Sequence, residues 1–478
     1  MSEAVCKEEK NLGIVYGLED KPPFIPATLT AIQHLMSMVV SIGSPPLIIC
    51  RALDMPLDIT IYMVNIAFFV SGIGTFIQTT RIGPIGSGLL SIQATSFIFP
   101  TAFIALGAEA LKNGASKEEV VALMSGATIV GSFVQMGLSR MTGLLNRVFT
   151  PLVCGITVTM VGISLLNVAM ANVVGGFAAI GTEDFASVKN VSLGAIVLLT
   201  ILIFNCFKNP AVRMSAMILG FIVGAIVAAG WGMIKPWPAD VKYFSFPVPF
   251  KYGFGFSLSG FVSIALLYVI STVEATGDLS ATSMLSKQPT AGPVFIKRLS
   301  GGILCDGFAS FVAGCFNSFP MTIFAQNNGV IQLTGNASRH VGKYIAVLLF
   351  ILGVFPVVGA VFNIIPDPVL GGALILLFGI ITGHRHAHHF HRSHDSPVHS
   401  DHRHFRRHRR GRSLSAELYR KPASLARRPP AFAGGRRRPD RYFHQPVAAQ
   451  VDGLRGSHPL ITKVVINFAA RNQTFGSD

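Results

Sequence analysis

Charge is what this chain has least of. Only 13% of its 478 residues are Asp, Glu, Lys or Arg, about half of what a soluble domain carries on its surface. That scarcity, with half of the residues hydrophobic, excludes an ordinary water-soluble globule. A cleavable signal is not read at the start, because Met1 to Lys21 is polar and charged and the first apolar run is too long for a signal core. Cysteine is sparse as well: Cys6, Cys50, Cys154, Cys206, Cys305 and Cys315 have neither metal-ligand nor disulfide spacing and read as small packing residues. No phosphate loop, nucleophile elbow or metal-ligand pattern occurs before the C-terminal tail, so neither an enzyme nor a cofactor is expected.

Long apolar runs separated by short polar loops take the place of a charged surface. A spanning helix needs roughly 20 apolar residues, and about twelve segments fit up to Thr382. They lie near 27–50, 59–79, 87–108, 119–138, 149–171, 191–207, 214–234, 257–276, 301–317, 318–330, 344–365 and 369–382. The fold class is therefore an all-α, multi-spanning membrane protein, with the lipid bilayer as its first partner. With the N-terminus inside, the inner loops collect 13 Lys and Arg against 7 outside, which orients the N-terminus to the cytoplasm.

Two segments break the pattern. The third, GPIGSGLLSIQATSFIFP, and the tenth, FNSFPMTIFAQNNGV, are interrupted by Gly, Pro and polar residues. Their backbone amides would go unpaired in lipid, so both must be buried in protein or line a cavity. They stand seven segments apart, an odd number, so they cross in opposite senses. That is the mark of an inverted repeat whose broken segments meet at a transport site.

Polar residues in the apolar segments are the candidates for chemistry. Glu274, at the end of the eighth segment, is an ionisable group in a span and reads as functional; the competing reading is a solvated acid at the membrane edge, which is the reading for Asp278. Asp306 in GGILCDGFASF reads equally as a ligand or as an acid that orders the site through backbone N–H groups. Gln326 and Asn327 each offer an acceptor and two donors, and an amide paired with a carboxylate can read a heterocycle with alternating N–H and C=O groups. The alternative is an amide-capped loop, disfavoured by the adjacent Gly329 and the broken segment. Gln93 mirrors Gln326 in the other repeat, with Ser96 following it. His34 is more commonly a packing residue, though with Gln33 it can order the site.

The stretch QNNGVIQLTG resembles the signature of the nucleobase–ascorbate transporter family: Gln326, Asn327, Gly329, Thr334 and Gly335 match it. Gln at the first position is similar to the xanthine and uric acid permease branch. QH in the first segment, GSGLLSIQ in the third and VEATGDLSATS in the eighth agree, over roughly residues 15–382. The resemblance implies two inverted repeats of seven segments, in which segments 1–4 and 8–11 form a substrate-holding core and 5–7 with 12–14 a gate. It implies that Glu274 and Gln326 bind the purine, that Asp306 serves site organisation or proton coupling, that Asn327 tunes specificity and that His34 supports the site. It further implies proton-coupled uptake of xanthine or urate across the inner membrane and dimerisation through the gate, with no nucleic-acid partner. Uracil or another nucleobase is the alternative substrate.

The resulting organisation is an N-terminal cytoplasmic segment 1–26, core 27–138, gate 139–256, core 257–366, the start of segment 12 at 367–383, and a tail 384–478. The tail holds 17 Arg, 2 Lys and 12 of the 14 His against 6 acids, whereas residues 1–383 carry 20 bases against 17 acids. Metal binding or attraction to an acidic surface would suit its composition. Neither explains a change of character in mid-span, with most of segment 12 and all of 13 and 14 absent. An out-of-frame reading of GC-rich coding DNA explains it better, since such reading yields Arg, His, Pro, Ala and Ser. The expectation is a disordered tail and a chain that does not transport, with a non-transporting membrane protein as the second reading.

Overall fold

The computed structural model describes residues 14–142, 162–163, 165–176, 179–180, 182–238 and 241–392, and side chains as far as residue 379. The expected fifth segment falls largely outside these residues, as does the tail from residue 393 and with it the expectation of disorder there.

Ten elements form two matched series. The first is α1 (Phe24–Ala52), α2 (Leu57–Thr80), β1 (Gln93–Thr95), α3 (Pro100–Lys112) and α4 (Lys117–Ser139). Three helices follow: α5 (Val188–Asn205), the short α6 (Pro210–Met214) and α7 (Ala216–Gly230). The second series is α8 (Leu258–Leu285), α9 (Gly292–Cys315), β2 (Met321–Ile323), α10 (Gln326–Thr334) and α11 (Arg339–Val354). Then come α12 (Pro356–Ile364) and α13 (Asp367–Arg392). Among the described residues, α1, α2, α4, α5 and α8 are long and apolar enough to cross a bilayer. α11 and α12 together are also long and apolar enough, but they are bent by 74° as a broken span or a re-entrant loop would be. The bend falls at Phe355–Pro356, where proline supplies no N–H to continue the helix.

Local sequence sets the helix starts. Ser116 and Glu119 form a reciprocal capping box on α4, with the Ser116 N–H 2.7 Å from the Glu119 carboxylate. Ser187, Ser257 and Ser338 cap α5, α8 and α11 through their hydroxyls. At the other end of α10, Gly335 is left-handed (φ 65°) and its N–H returns to the Ile331 carbonyl at 2.9 Å. A glycine after Thr334 is what that turn requires.

The broken segments meet as the inverted repeat requires. β1 and β2 pair antiparallel, with Gln93 opposite Ile323, Ala94 opposite Thr322 and Thr95 opposite Met321. Phe324 N–H to Ile92 O (3.1 Å) and Ser96 N–H to Pro320 O (2.9 Å) extend the ladder at both ends. All six strand residues are buried, so each repeat satisfies the backbone of the other away from water.

Helix packing obeys the same exchange. α2 lies along α11 and α9 lies along α4, two pairs that interchange when the repeats are swapped. Glycine permits both approaches: a Cβ on Gly353 would stand 2.4 Å from Phe69 N, and one on Gly314 2.5 Å from Ile129 Cγ1. α13 packs on α5 and α7, which precede it in sequence.

Three expectations are corrected. The eighth segment does not end near residue 276: α8 continues to Leu285, and Asp278, expected as a solvated loop acid, is 3% exposed within it. The apolar run stops early because the last turns of α8 carry the buried polar residues Asp278, Thr282 and Ser283. The helix begun at segment 12 does not stop at Gly383 but runs on to Arg392. Among the cysteines, Cys50 and Cys305 are buried as expected of packing residues, but Cys206 is exposed at the end of α5.

Candidate functional site

The site forms where β1, β2 and the half-helices that follow them are enclosed by α1, α8 and α9. Asp306 on α9 is fully buried and knits both strands together. One carboxylate oxygen accepts from the Gln93 side-chain amide and the other from the Thr322 hydroxyl at 3.4 Å. Both donors are side chains, not the backbone N–H groups expected to order the site through Asp306. Gln93 is directed at the acid, its backbone N–H is held by Thr75 Oγ1 at 3.0 Å, and its own amide oxygen has no partner among the described residues.

α10 is nine residues long and has no side-chain N-cap. Three consecutive amides attach its first turn to three other elements instead. Gln326 Nε2 donates to Ser41 Oγ on α1 at 3.3 Å. Asn327 Nδ2 donates to the Leu90 carbonyl, just ahead of β1. Asn328 Oδ1 accepts from the Thr282 hydroxyl on α8 at 2.6 Å. Gln326 is half-buried and Asn327 fully buried, with Asn327 Oδ1 unpartnered among the described residues. Gly329 is exposed, and a Cβ there would meet no atom within 4 Å, which leaves the helix surface open one turn after Gln326.

Glu274 is half-buried in the middle of α8 rather than at its edge. Glu274, Asp278 and Thr282 recur every four residues and so share one face of that helix. Both Glu274 and Asp278 lie within Coulombic reach of Asp306, giving the core three neighbouring carboxylates. His34 is fully buried on α1, with both ring nitrogens unpartnered among the described residues. It stands two turns before Ser41 on the same face, so α1 carries a polar line toward Gln326.

Two expected members are engaged elsewhere. Ser96 is buried, and its hydroxyl accepts from the Ile98 N–H at 3.2 Å, shaping the entry to α3. Thr334 lies at the far end of α10, where its hydroxyl is 2.8 Å from the Val330 carbonyl and 3.2 Å from the Asn336 N–H.

An aromatic cluster was not foreseen. Phe97, beyond β1, and Phe324, beyond β2, stack with centroids 6.0 Å apart and planes 19° from parallel. Phe378 of α13 meets Phe97 edge-on at 5.1 Å. Among 36 phenylalanines these carry no mark of their own. The usable signal was position, Phe97 four residues after Gln93 and Phe324 two before Gln326.

Comparison with known proteins agrees with this architecture. A permease family model matches residues 27–385, ending where the basic tail begins. Xanthine permease XanQ of Escherichia coli K12 is 43% identical over 370 residues, covering 77% of this chain and 79% of that protein. Xanthine permease XanP of the same strain is 40% identical over 378 residues, covering 78% and 81%. Two solved structures share the fold at low identity. The transmembrane domain of the cyanobacterial bicarbonate transporter BicA has a TM-score of 0.53 at 14% identity, over 77% of this chain and 91% of that one. Murine Slc26a9 in its inward-facing state has 0.54 at 11%, over 79% and 63%.

Proposed function

The chain belongs to the nucleobase–ascorbate transporter family of permeases, and on that premise we propose that its centre binds a purine base, xanthine first and urate second, between Glu274 on α8 and Gln326 on α10. The observation that carries the reading is the meeting of the two broken segments, which sets Gln326 and the stacked Phe97 and Phe324 beside the carboxylate-bearing helices. Xanthine has N–H donors next to C=O acceptors. A carboxylate accepts from the first and an amide can serve either, so a two-point clamp satisfies complementary edges. Aromatic faces favour a flat ring system. Gln93, Ser96, Asp306, Thr334 and His34 support this clamp through the strand pair, the α10 turn and α1, and Asn327 adjusts specificity.

The family carries out transport, not catalysis. The coupling ion in this proposal is the proton, for which Glu274, Asp278 and Asp306 are acceptors within one core. The protein spans the inner membrane with its N-terminus in the cytoplasm and, with the gate complete, dimerises through it. The basic tail breaks off the family match at residue 385, and binding without flux is expected of the chain as it stands. The test is uptake of labelled xanthine by the protein with its gate restored in the neighbouring reading frame. Uptake abolished by a protonophore agrees with the proposal; uptake indifferent to the protonophore removes the proton coupling, and preferential uptake of uracil removes the purine.

A further inference from the structure

The third amide of the α10 tripod has no role in the family signature, where its position is free. Gln326 and Asn327 answer to the signature, and their bonds reach α1 and the approach to β1. Asn328 reaches instead to α8, the helix that carries Glu274. We infer that Thr282 and Asn328 are a positioning pair, which fixes the half-helix bearing Gln326 at the distance from Glu274 that a purine needs.

Three features of the geometry support this. α10 is too short to hold an orientation by itself, since isolated helices below about 12 residues are marginal, and its N-cap residue Ala325 contributes no side-chain bond. Its direction must come from attachments to neighbours. Thr282 is fully buried, and its Oγ1 lies 2.8 Å from the Asp278 carbonyl and 2.6 Å from Asn328 Oδ1, so its single hydrogen is shared between these two acceptors and the hydroxyl has no third direction to turn to. Finally, Thr282 lies two turns beyond Glu274 on the same face of a continuous helix, and Asn328 lies two residues after Gln326. A bond between the second members of these two pairs constrains the separation of the first members.

The inference rests on the proposed purine site, and its test separates the two. Variants Thr282→Val, Asn328→Ala, their combination and Thr282→Ser are purified in detergent. Hydrogen–deuterium exchange is followed in the ligand-free protein, and xanthine affinity is measured by thermal stabilisation. Loss of the tie should speed exchange in residues 326–334 and leave α11 unchanged. Either single variant should weaken xanthine binding roughly three- to tenfold, the scale of one hydrogen bond. The double variant should be no weaker than the worse single one, and Thr282→Ser should restore both readouts. Unchanged exchange and affinity, or additive losses in the double variant, would overturn the pairing. If the parent protein binds no xanthine, the purine reading fails while the exchange result still decides whether the pair positions α10.

Discussion

In the proposed clamp Glu274 and Gln326 bear the heaviest chemical load, and each should fail in its own way. Glu274→Gln keeps the shape of the side chain but loses a charged acceptor, a difference of roughly 1.5–3 kcal/mol, or about ten- to a hundredfold in affinity. The xanthine affinity read from thermal stabilisation should fall by that factor, while membrane insertion stays normal. Parental affinity in the variant would make Glu274 a bystander. Gln326→Glu replaces a donor with an acceptor and should move preference away from xanthine, read as a changed order of competing bases. These two candidates could be picked from the sequence because ionisable and amide side chains stand out in an apolar background. Thr282 could not, since a threonine in a polar helix end has many ordinary uses; nor could Phe97 and Phe324, lost among similar rings. Asp278 was misjudged because the apolar run ended before the helix did.

Among elements, the interrupted segments were the most legible. Glycine, proline and amides in the middle of a span mark a backbone that needs partners, and an odd spacing tells which partner. The 74° bend between α11 and α12 was hidden because Phe355–Pro356 lies inside a continuous apolar run. Also hidden was the join between α1 and the start of α13. Arg51, at the end of α1, donates to Asp367 at 2.6 Å and to the carbonyls of Asn363 (3.1 Å) and Ile365 (2.6 Å). The two side chains are 10% and 13% exposed. Removing one member leaves a largely desolvated charge, so Arg51→Gln should cost about 3 kcal/mol, seen as a lower unfolding midpoint in detergent. Adding Asp367→Asn should recover part of that loss; strictly additive losses would mean that the pair does not interact. Lys235 sits beside the pair, and burial, reinforced by the Arg51 charge, lowers its pKa from 10.5. The unfolded chain then holds the proton more tightly, so stability rises as pH climbs from the depressed pKa toward 10.5. Lys235→Met should flatten that alkaline rise in thermal melts, and an identical slope in both proteins would deny the group its role.

For the whole molecule, the inverted repeat explains why so much could be read in advance: each half supplies the pairing surface of the other, so one recognised break implies its mate. The tail obeys a different logic. The apolar pattern ends near Gly383 and the family match ends at residue 385, although the helix itself continues to Arg392. The gene should show an insertion or deletion of one or two bases near the codons for residues 382–384, with hydrophobic segments in the neighbouring frame. A neighbouring frame without them would make the tail a genuine part of the protein.

The central claim is that two inverted repeats close around one purine. Equilibrium binding of labelled xanthine to the purified chain, with unlabelled xanthine and uracil as competitors, tests it most directly. Saturable binding displaced more strongly by xanthine than by uracil, and weakened about ten- to a hundredfold in Glu274→Gln, is the predicted result. Absence of saturable binding, or stronger displacement by uracil, would contradict it.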